Sequence, residues 1–180
     1  MRNKYLRKIK KLWWIPYLYI LDKISHEKYA KKIGVNYGEN CHFYGKIYWG
    51  TEPWIIKMGN NVHITNECRF VTHDGGVLLY RHLEPTLELT KPIILGSNVY
   101  IGTRAIIMGG VKIGNNVIIG AGSIVTHDIP DNSVAVGVPA RVIKSADDYF
   151  KKAKKESIGL GNLLYDEKDR ALKKYYNYSK

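Results

Sequence analysis

Six histidines offer the readiest acid–base chemistry in this chain: His26, His42, His63, His73, His82 and His127. An imidazole changes charge near neutral pH, so it can take a proton from an alcohol that is otherwise a poor nucleophile. His73 stands apart by its position. It lies in Phe70-Val-Thr-His-Asp-Gly, and from Gly75 to Pro92 the periodic pattern on either side of it vanishes. Tyr80, Arg81, His82, Leu83, Glu84, Pro85 and Glu88 read as an excursion thrown out from one corner of a repetitive scaffold. Long irregular insertions in a compact repeat usually carry function.

The scaffold that must hold this corner is written most clearly from Leu95 to Ile129, where the pattern recurs every six residues. Cut in that frame the chain reads LGSNVY, IGTRAI, IMGGVK, IGNNVI, IGAGSI, VTHDIP. The first position is aliphatic throughout (Leu95, Ile101, Ile107, Ile113, Ile119, Val125), and the fifth is small or aliphatic. A helix would need apolar spacings of three and four, so a strict period of six excludes it. A short strand followed by a tight turn fits, with Gly and Asn supplying left-handed backbone conformations. Three hexads close one triangular coil, and stacked coils bury the aliphatic positions in one column. The expected fold is therefore an all-β parallel β-helix.

Earlier hexads are less regular. Tyr37-Gly-Glu-Asn-Cys-His and Phe43-Tyr-Gly-Lys-Ile-Tyr carry aromatic first positions, and Trp49-Gly-Thr-Glu-Pro-Trp54 reads as a break in the frame. Regularity returns at Met58 and Ile64. Cys41 and Cys68 fall at fifth positions, where a small side chain points inward, so both are expected as buried free thiols.

These hexads resemble those of the left-handed β-helix acyltransferases, the hexapeptide-repeat family that includes galactoside, maltose, serine and capsular-sugar acetyltransferases. The resemblance spans about Ile33 to Lys144 and extends to Gly137-Val-Pro-Ala-Arg-Val-Ile143. Left-handed winding is what the resemblance implies; the general preference for right-handed crossovers gives the opposite. It also implies a homotrimer with sites between subunits, acetyl-CoA as donor and no metal. His73 matches the place of the family's catalytic base. Asp74 is a weaker partner for it, because neighbours on a strand point to opposite faces, and is better suited to bind an acceptor sugar. Glu52 and Trp54 lie in the region where sugar-acetylating relatives bind the acceptor, Glu52 for its hydroxyls and Trp54 or Trp49 for stacking.

On the donor side, Thr103 and Ala121 match positions that hold the pantetheine arm, 18 residues apart and so roughly 4.8 Å apart in a stacked coil. Thr126, His127, Arg141 and Lys144 match positions near the nucleotide, where cations suit phosphates. His127 replaces a frequent Lys. Tyr100 replaces a frequent Trp and could wall the thioester channel. The resemblance thus implies O-acetylation of a carbohydrate hydroxyl, most like the transferases of bacterial surface polysaccharide assembly. An amino sugar or serine is the alternative acceptor, and a non-catalytic β-helix scaffold is a less favoured reading. The zinc carbonic anhydrases that share this coil need two histidines five residues apart, and no pair here has that spacing.

Composition bounds the remainder. Formal net charge is +12, from 28 Lys and Arg against 16 Asp and Glu, which favours an anionic partner. The excess sits at the ends, in Arg2 to Lys11 and Lys151 to Lys155, and no nucleic-acid-reading motif accompanies it. Three parts are expected: a basic aromatic helical extension over 1–32, the β-helix over 33–144 with its loop at 75–92, and a helical tail over 145–180. Ser145 with Asp148 resembles a capping box, so a helix should begin near Ala146. The apolar run Leu12–Leu21 is about half the roughly twenty residues a membrane span needs, and no small-residue cleavage site follows it. An amphipathic segment remains, packed on the coil or resting peripherally on an anionic membrane from the cytoplasmic side.

Overall fold

The computed structural model of the chain describes residues 14–178, so the basic run from Arg2 to Lys11 lies outside the described residues. The chain divides at Ala146 and Asp147 into two compact units.

In the first unit most hexads contribute one short strand, and at Tyr48 and Ile129 only a single bridge forms. One sheet holds β2 (Ile56–Met58), β5 (Ile93–Leu95) and β8 (Lys112–Ile113). A second holds β1 (His42–Phe43), β3 (Val62–Ile64), β6 (Val99–Ile101), β9 (Val117–Ile119), β11 (Ser133–Gly137) and β12 (Ala140–Ser145). The third holds β4 (Arg69–Val71), β7 (Ile106–Met108) and β10 (Ile124–Val125). From β2 to β10 consecutive strands fall in different sheets, and each pairs in parallel with the strand one turn later. The chain therefore winds as a three-sided coil. Inside it, all first positions from Leu95 to Val125 are buried, as are Val99, Ala105, Val111, Val117, Ser123 and Ile129 at the fifth positions. Fully burying one such aliphatic side chain contributes about 1.5–3 kcal/mol. Both cysteines are buried free thiols in the same column.

The corners show why Asn and Gly recur. Asn61, Asn98 and Asn116 each adopt a left-handed conformation, with φ of 55, 58 and 54°. Asn61 donates to Asn98, and Asn98 to Asn116, one turn apart. Beside them Asn60, Ser97, Asn115 and Asp131 each accept the backbone N–H of the preceding turn. Gly102 is required by closeness alone: a Cβ there would come 2.5 Å from the Ala121 nitrogen.

These corner bonds also measure the length of each turn. Ser97 meets Asn115 after 18 residues, Glu39 meets Asn60 after 21, and Asn60 meets Ser97 after 37. The second turn length locates an insertion of three residues, the 3₁₀ turn Pro53–Ile55. The frame thus breaks within the stretch Trp49–Trp54, as the sequence suggests, but at its end and not at Trp49. Trp49 is buried, stacked on Phe70 at 5.1 Å and edge-on to Phe43, and continues the column of first positions. The break falls just after it. The longest turn contains the excursion, which opens with a 3₁₀ helix, Gly75–Tyr80.

Residues 14–24 are helical (α1), and Ser25 then caps α2 (His26–Ile33) by accepting from the Lys28 N–H. Ala30 of α2 is buried in the coil's core, with Tyr29 and Ile33 packed against it. The Glu27 carboxylate accepts from the Phe43 N–H, and the Tyr37 hydroxyl donates to the Glu27 carbonyl. At the other end β11 and β12 form an antiparallel hairpin on β9. The second unit, from Asp147, holds all but the first residue of α3 (Ala146–Glu156), which starts where the Ser145–Asp148 pattern places it, and α4 (Tyr165–Tyr175). Both carry acidic first turns and basic last turns, which complement the helix dipole.

Candidate active site

His73 leaves the coil at the exit of β4, held by the foot of the excursion. It forms an antiparallel bridge with Thr90, the Asp74 N–H donates to Leu89, and the Lys91 N–H donates to Thr72. Two strands zipped for a few residues give this corner a defined backbone, while the His73 side chain stays 43% exposed.

Beneath the ring lies a carboxylate from the preceding turn. Glu52 Oε2 is 3.2 Å from His73 Nδ1 and accepts from the Thr72 hydroxyl at 2.6 Å. Thr51 donates its hydroxyl to Glu52 Oε1 at 2.7 Å, and its oxygen stands 3.1 Å from the same Nδ1. A carboxylate only accepts, and the Thr51 proton is already committed to Glu52. Both groups facing Nδ1 are therefore acceptors, so Nδ1 carries the ring proton and Nε2 keeps its lone pair. The hydroxyls of Thr51 and Thr72, with His73, hold the Glu52 carboxyl below the usual carboxylate range. Gly50 makes this fit. Its φ is +74°, and a Cβ there would lie 2.9 Å from both the Phe70 carbonyl oxygen and Thr72 Oγ1.

Two clefts meet at His73. One is formed with Thr51, Glu52, Leu78, Arg81 and Glu88, the last two joined by a 2.6 Å ion pair. The other is formed with Val71, Thr72, Lys91, Met108 and Gly109. Asp74 lines both, but its carboxylate accepts from the Gly76 N–H and caps the 3₁₀ helix rather than holding His73. Trp54 is exposed and abuts Gly34, and it lines neither cleft. Burial of Trp49 removes it from stacking on an acceptor sugar. The sequence does not mark Thr51 as a partner of His73 or Thr72 as a partner of Glu52. The only signal was their adjacency to Glu52 and His73 in sequence.

The residues matched to the donor separate into four places. Thr103 and Ala121 stack at the corner after β6 and β9, where the Gly122 N–H donates to the Thr103 carbonyl. That corner is the one at which the chain enters the β4–β7–β10 sheet, whereas His73 stands where it leaves. Tyr100 points outward from the middle of the six-stranded sheet, in register with His63. His127 and Arg141 share a surface cleft with Asp128 and Ala140, and Thr126 lies 2.8 Å from the His127 ring. Lys144, farther along β12, is opposite Val134 and outside that cleft. Among the described residues no three His, Cys, Asp or Glu side chains gather as a metal site would require.

Known proteins share both the repeats and the coil. The bacterial transferase hexapeptide family (six repeats) matches residues 92–127. Protein CapG of Staphylococcus aureus is 41% identical over 154 residues, 84% of this chain and 90% of its own length. Galactoside O-acetyltransferase of Escherichia coli K12 is 41% identical over 134 residues, which span 68% of this chain and 64% of that enzyme. A galactoside acetyltransferase solved in complex with coenzyme A superposes with a TM-score of 0.52 at 32% identity, covering 69% of this chain and 72% of that one. With nearly the whole of one relative matched at this identity, the chain belongs to the hexapeptide-repeat family of bacterial acyltransferases.

Proposed function

We propose that this protein transfers an acetyl group from acetyl-CoA to a sugar hydroxyl, with His73 as general base. The observation that carries the reading is the Nδ1 side of His73, saturated by Glu52 and Thr51. It leaves the Nε2 lone pair for proton abstraction, on a residue that lines two clefts. The acceptor hydroxyl would give its proton to Nε2 as its oxygen attacks the thioester carbonyl. The imidazolium that forms is stabilised by Glu52 and returns the proton to the departing CoA sulfur. The products are an O-acetyl sugar and CoA, with no acyl-enzyme. Glu52 acts in this reading as a positioning residue. Asp74 and the Arg81–Glu88 pair border the cleft that would take the acceptor. Trp54 would require a partner subunit or a large acceptor to take part.

Support for the donor comes from the relative solved with coenzyme A and from the cleft lined by His127 and Arg141, whose guanidinium suits a phosphate. Thr103 and Ala121, with Tyr100 on the adjoining sheet, would hold the pantetheine arm, and Lys144 would add charge near the nucleotide. Within one chain these groups and His73 occupy different corners. A complete site would then combine His73 of one copy with the Thr103–Ala121 corner of another, which favours the homotrimer the resemblance implies. Left-handed winding, a cytoplasmic setting and a place in surface polysaccharide assembly belong to the same reading.

Calorimetric titration with acetyl-CoA tests it without knowledge of the acceptor. Saturable binding near one site per chain, weakened in Arg141→Ala, is expected. An absence of binding at millimolar donor would overturn the reading.

A further inference from the structure

The end of the first unit opposite the β11–β12 hairpin carries a surface that acyl transfer does not use. Trp14, Ile15, Tyr17, Tyr19, Ile20 and Ile24 of α1 are all exposed. Exposed apolar residues scattered singly need no explanation, but six on one short helix do. Cations are set among these rings. Lys32 Nζ lies 5.0 Å from the Trp14 ring centre and 5.9 Å from that of Tyr17, and Lys23 lies 5.7 Å from Tyr19. Lys28, Lys31 and Lys32 line a shallow cleft with Tyr17 and Leu21. Because Ala30, Tyr29 and Ile33 turn α2 inward onto the coil, these lysines face out. The acids nearby are engaged elsewhere: Asp22 with His26 at 3.0 Å, and Glu27 with the Phe43 N–H and Ser25.

We propose that α1 and the outer face of α2 dock on an anionic lipid bilayer. Trp and Tyr favour the headgroup level, where a ring can be half dry and half wet. Lysines beside them meet lipid phosphates, and each strengthens attraction to an anionic leaflet. A contact with a second copy of the chain fits less well, since protein interfaces exclude lysine from their centres. Among the described residues no helix is long and apolar enough to cross a membrane, so the segment would lie on the surface. None of these residues lines a His73 cleft, so this docking stands or falls independently of acyl transfer.

Co-sedimentation of the full chain tests the surface, using vesicles of phosphatidylcholine alone and vesicles with phosphatidylglycerol added. Binding is expected to the anionic vesicles only, and it should weaken as salt rises. Lys28→Gln/Lys31→Gln/Lys32→Gln should bind on the order of 100-fold more weakly, and Tyr17→Ser/Ile20→Ser should also lose binding. Melting curves of both variants check folding; if the second fails to fold, the lysine variant and the salt titration still decide. No binding to anionic vesicles overturns the proposal. Undiminished binding by the lysine variant does the same, as does a Tyr17→Ser/Ile20→Ser protein that changes oligomeric mass while still binding lipid.

Discussion

The later coils, from Leu95 to Ile129, and the earlier ones, from Tyr37 to Pro92, use the same architecture for different ends. Later turns return after 18 residues and the last after 16, their inward positions are aliphatic or small, and their corners repeat Gly and Asn. Earlier turns are lengthened to 21 and 37 residues and pack aromatic rings inside. The difference has a physical cause. A strictly repeated coil stacks like on like and cannot bring unlike groups together. Added residues shift the register, and the three at Pro53–Ile55 lay Glu52 under His73, 21 residues on, where a regular turn would offer position 55. The regular coils supply a uniform aliphatic column, and the Glu52–His73 pair forms where that regularity fails.

That division is easiest to break at His73. Exposed and outside the core, His73→Ala should lower the acetyl-transfer rate about 10²–10⁴-fold while melting stays almost unchanged. Steady-state kinetics beside a thermal melt would check both halves, and an equally active variant would end the general-base reading. The regular half should behave in the opposite way. Ile107→Ala empties a fully buried position and should cost about 2–5 kcal/mol in denaturant unfolding. If the coil simply closed over the gap, the loss would be far smaller and the column less tightly packed than its burial indicates.

Glu52→Gln sharpens the comparison at the point where the halves meet. An amide can donate to Nδ1 and so permit the tautomer whose Nε2 is protonated. The turnover number should fall about tenfold to a hundredfold, less than for a fully buried carboxylate–histidine pair, because both groups touch water. Nitrogen chemical shifts of the His73 ring report the tautomer directly. A slower variant with the wild-type tautomer would mean that Glu52 serves the acceptor instead.

How much of this could be read beforehand follows the same line. The hexads disclose the column from Leu95 onward, since each inward position repeats in type. The Ser145–Asp148 pattern likewise marks the start of α3, because a helix cap is local. His73 is conspicuous for standing where the period ends. Trp49 was opaque: a large aromatic in an aliphatic column looks like an interruption until Phe43 and Phe70 are seen to pack on it. The break at Trp49–Trp54 is visible in the sequence, but the place of Glu52 under His73 depends on its being three residues long, which no local pattern gives. Long-range pairing across a shifted register is the part of the fold that local pattern does not encode.

The smallest effect expected concerns the seam between α2 and the first coil. Burial pushes the Glu27 carboxyl up, but the Phe43 N–H, its own backbone, Ser25 and His26 together pull it further down, leaving it below its ordinary value of 4.5. A carboxyl depressed on folding adds stability above its unfolded value, and that stability is lost as pH falls through the folded value. The contribution should therefore be constant from pH 8 to about 5 and fade below about 4.5. Solvent screening limits its size to under about 1 kcal/mol. Glu52 and Glu67 are lowered as well, so acid destabilisation of the unaltered protein alone would not single out Glu27. The difference between wild type and Glu27→Gln does. Their melting temperatures should differ at pH 7 and converge towards pH 3.5, and parallel curves across that range would show that α2 is held by Ala30, Tyr29 and Ile33 without help from the charge.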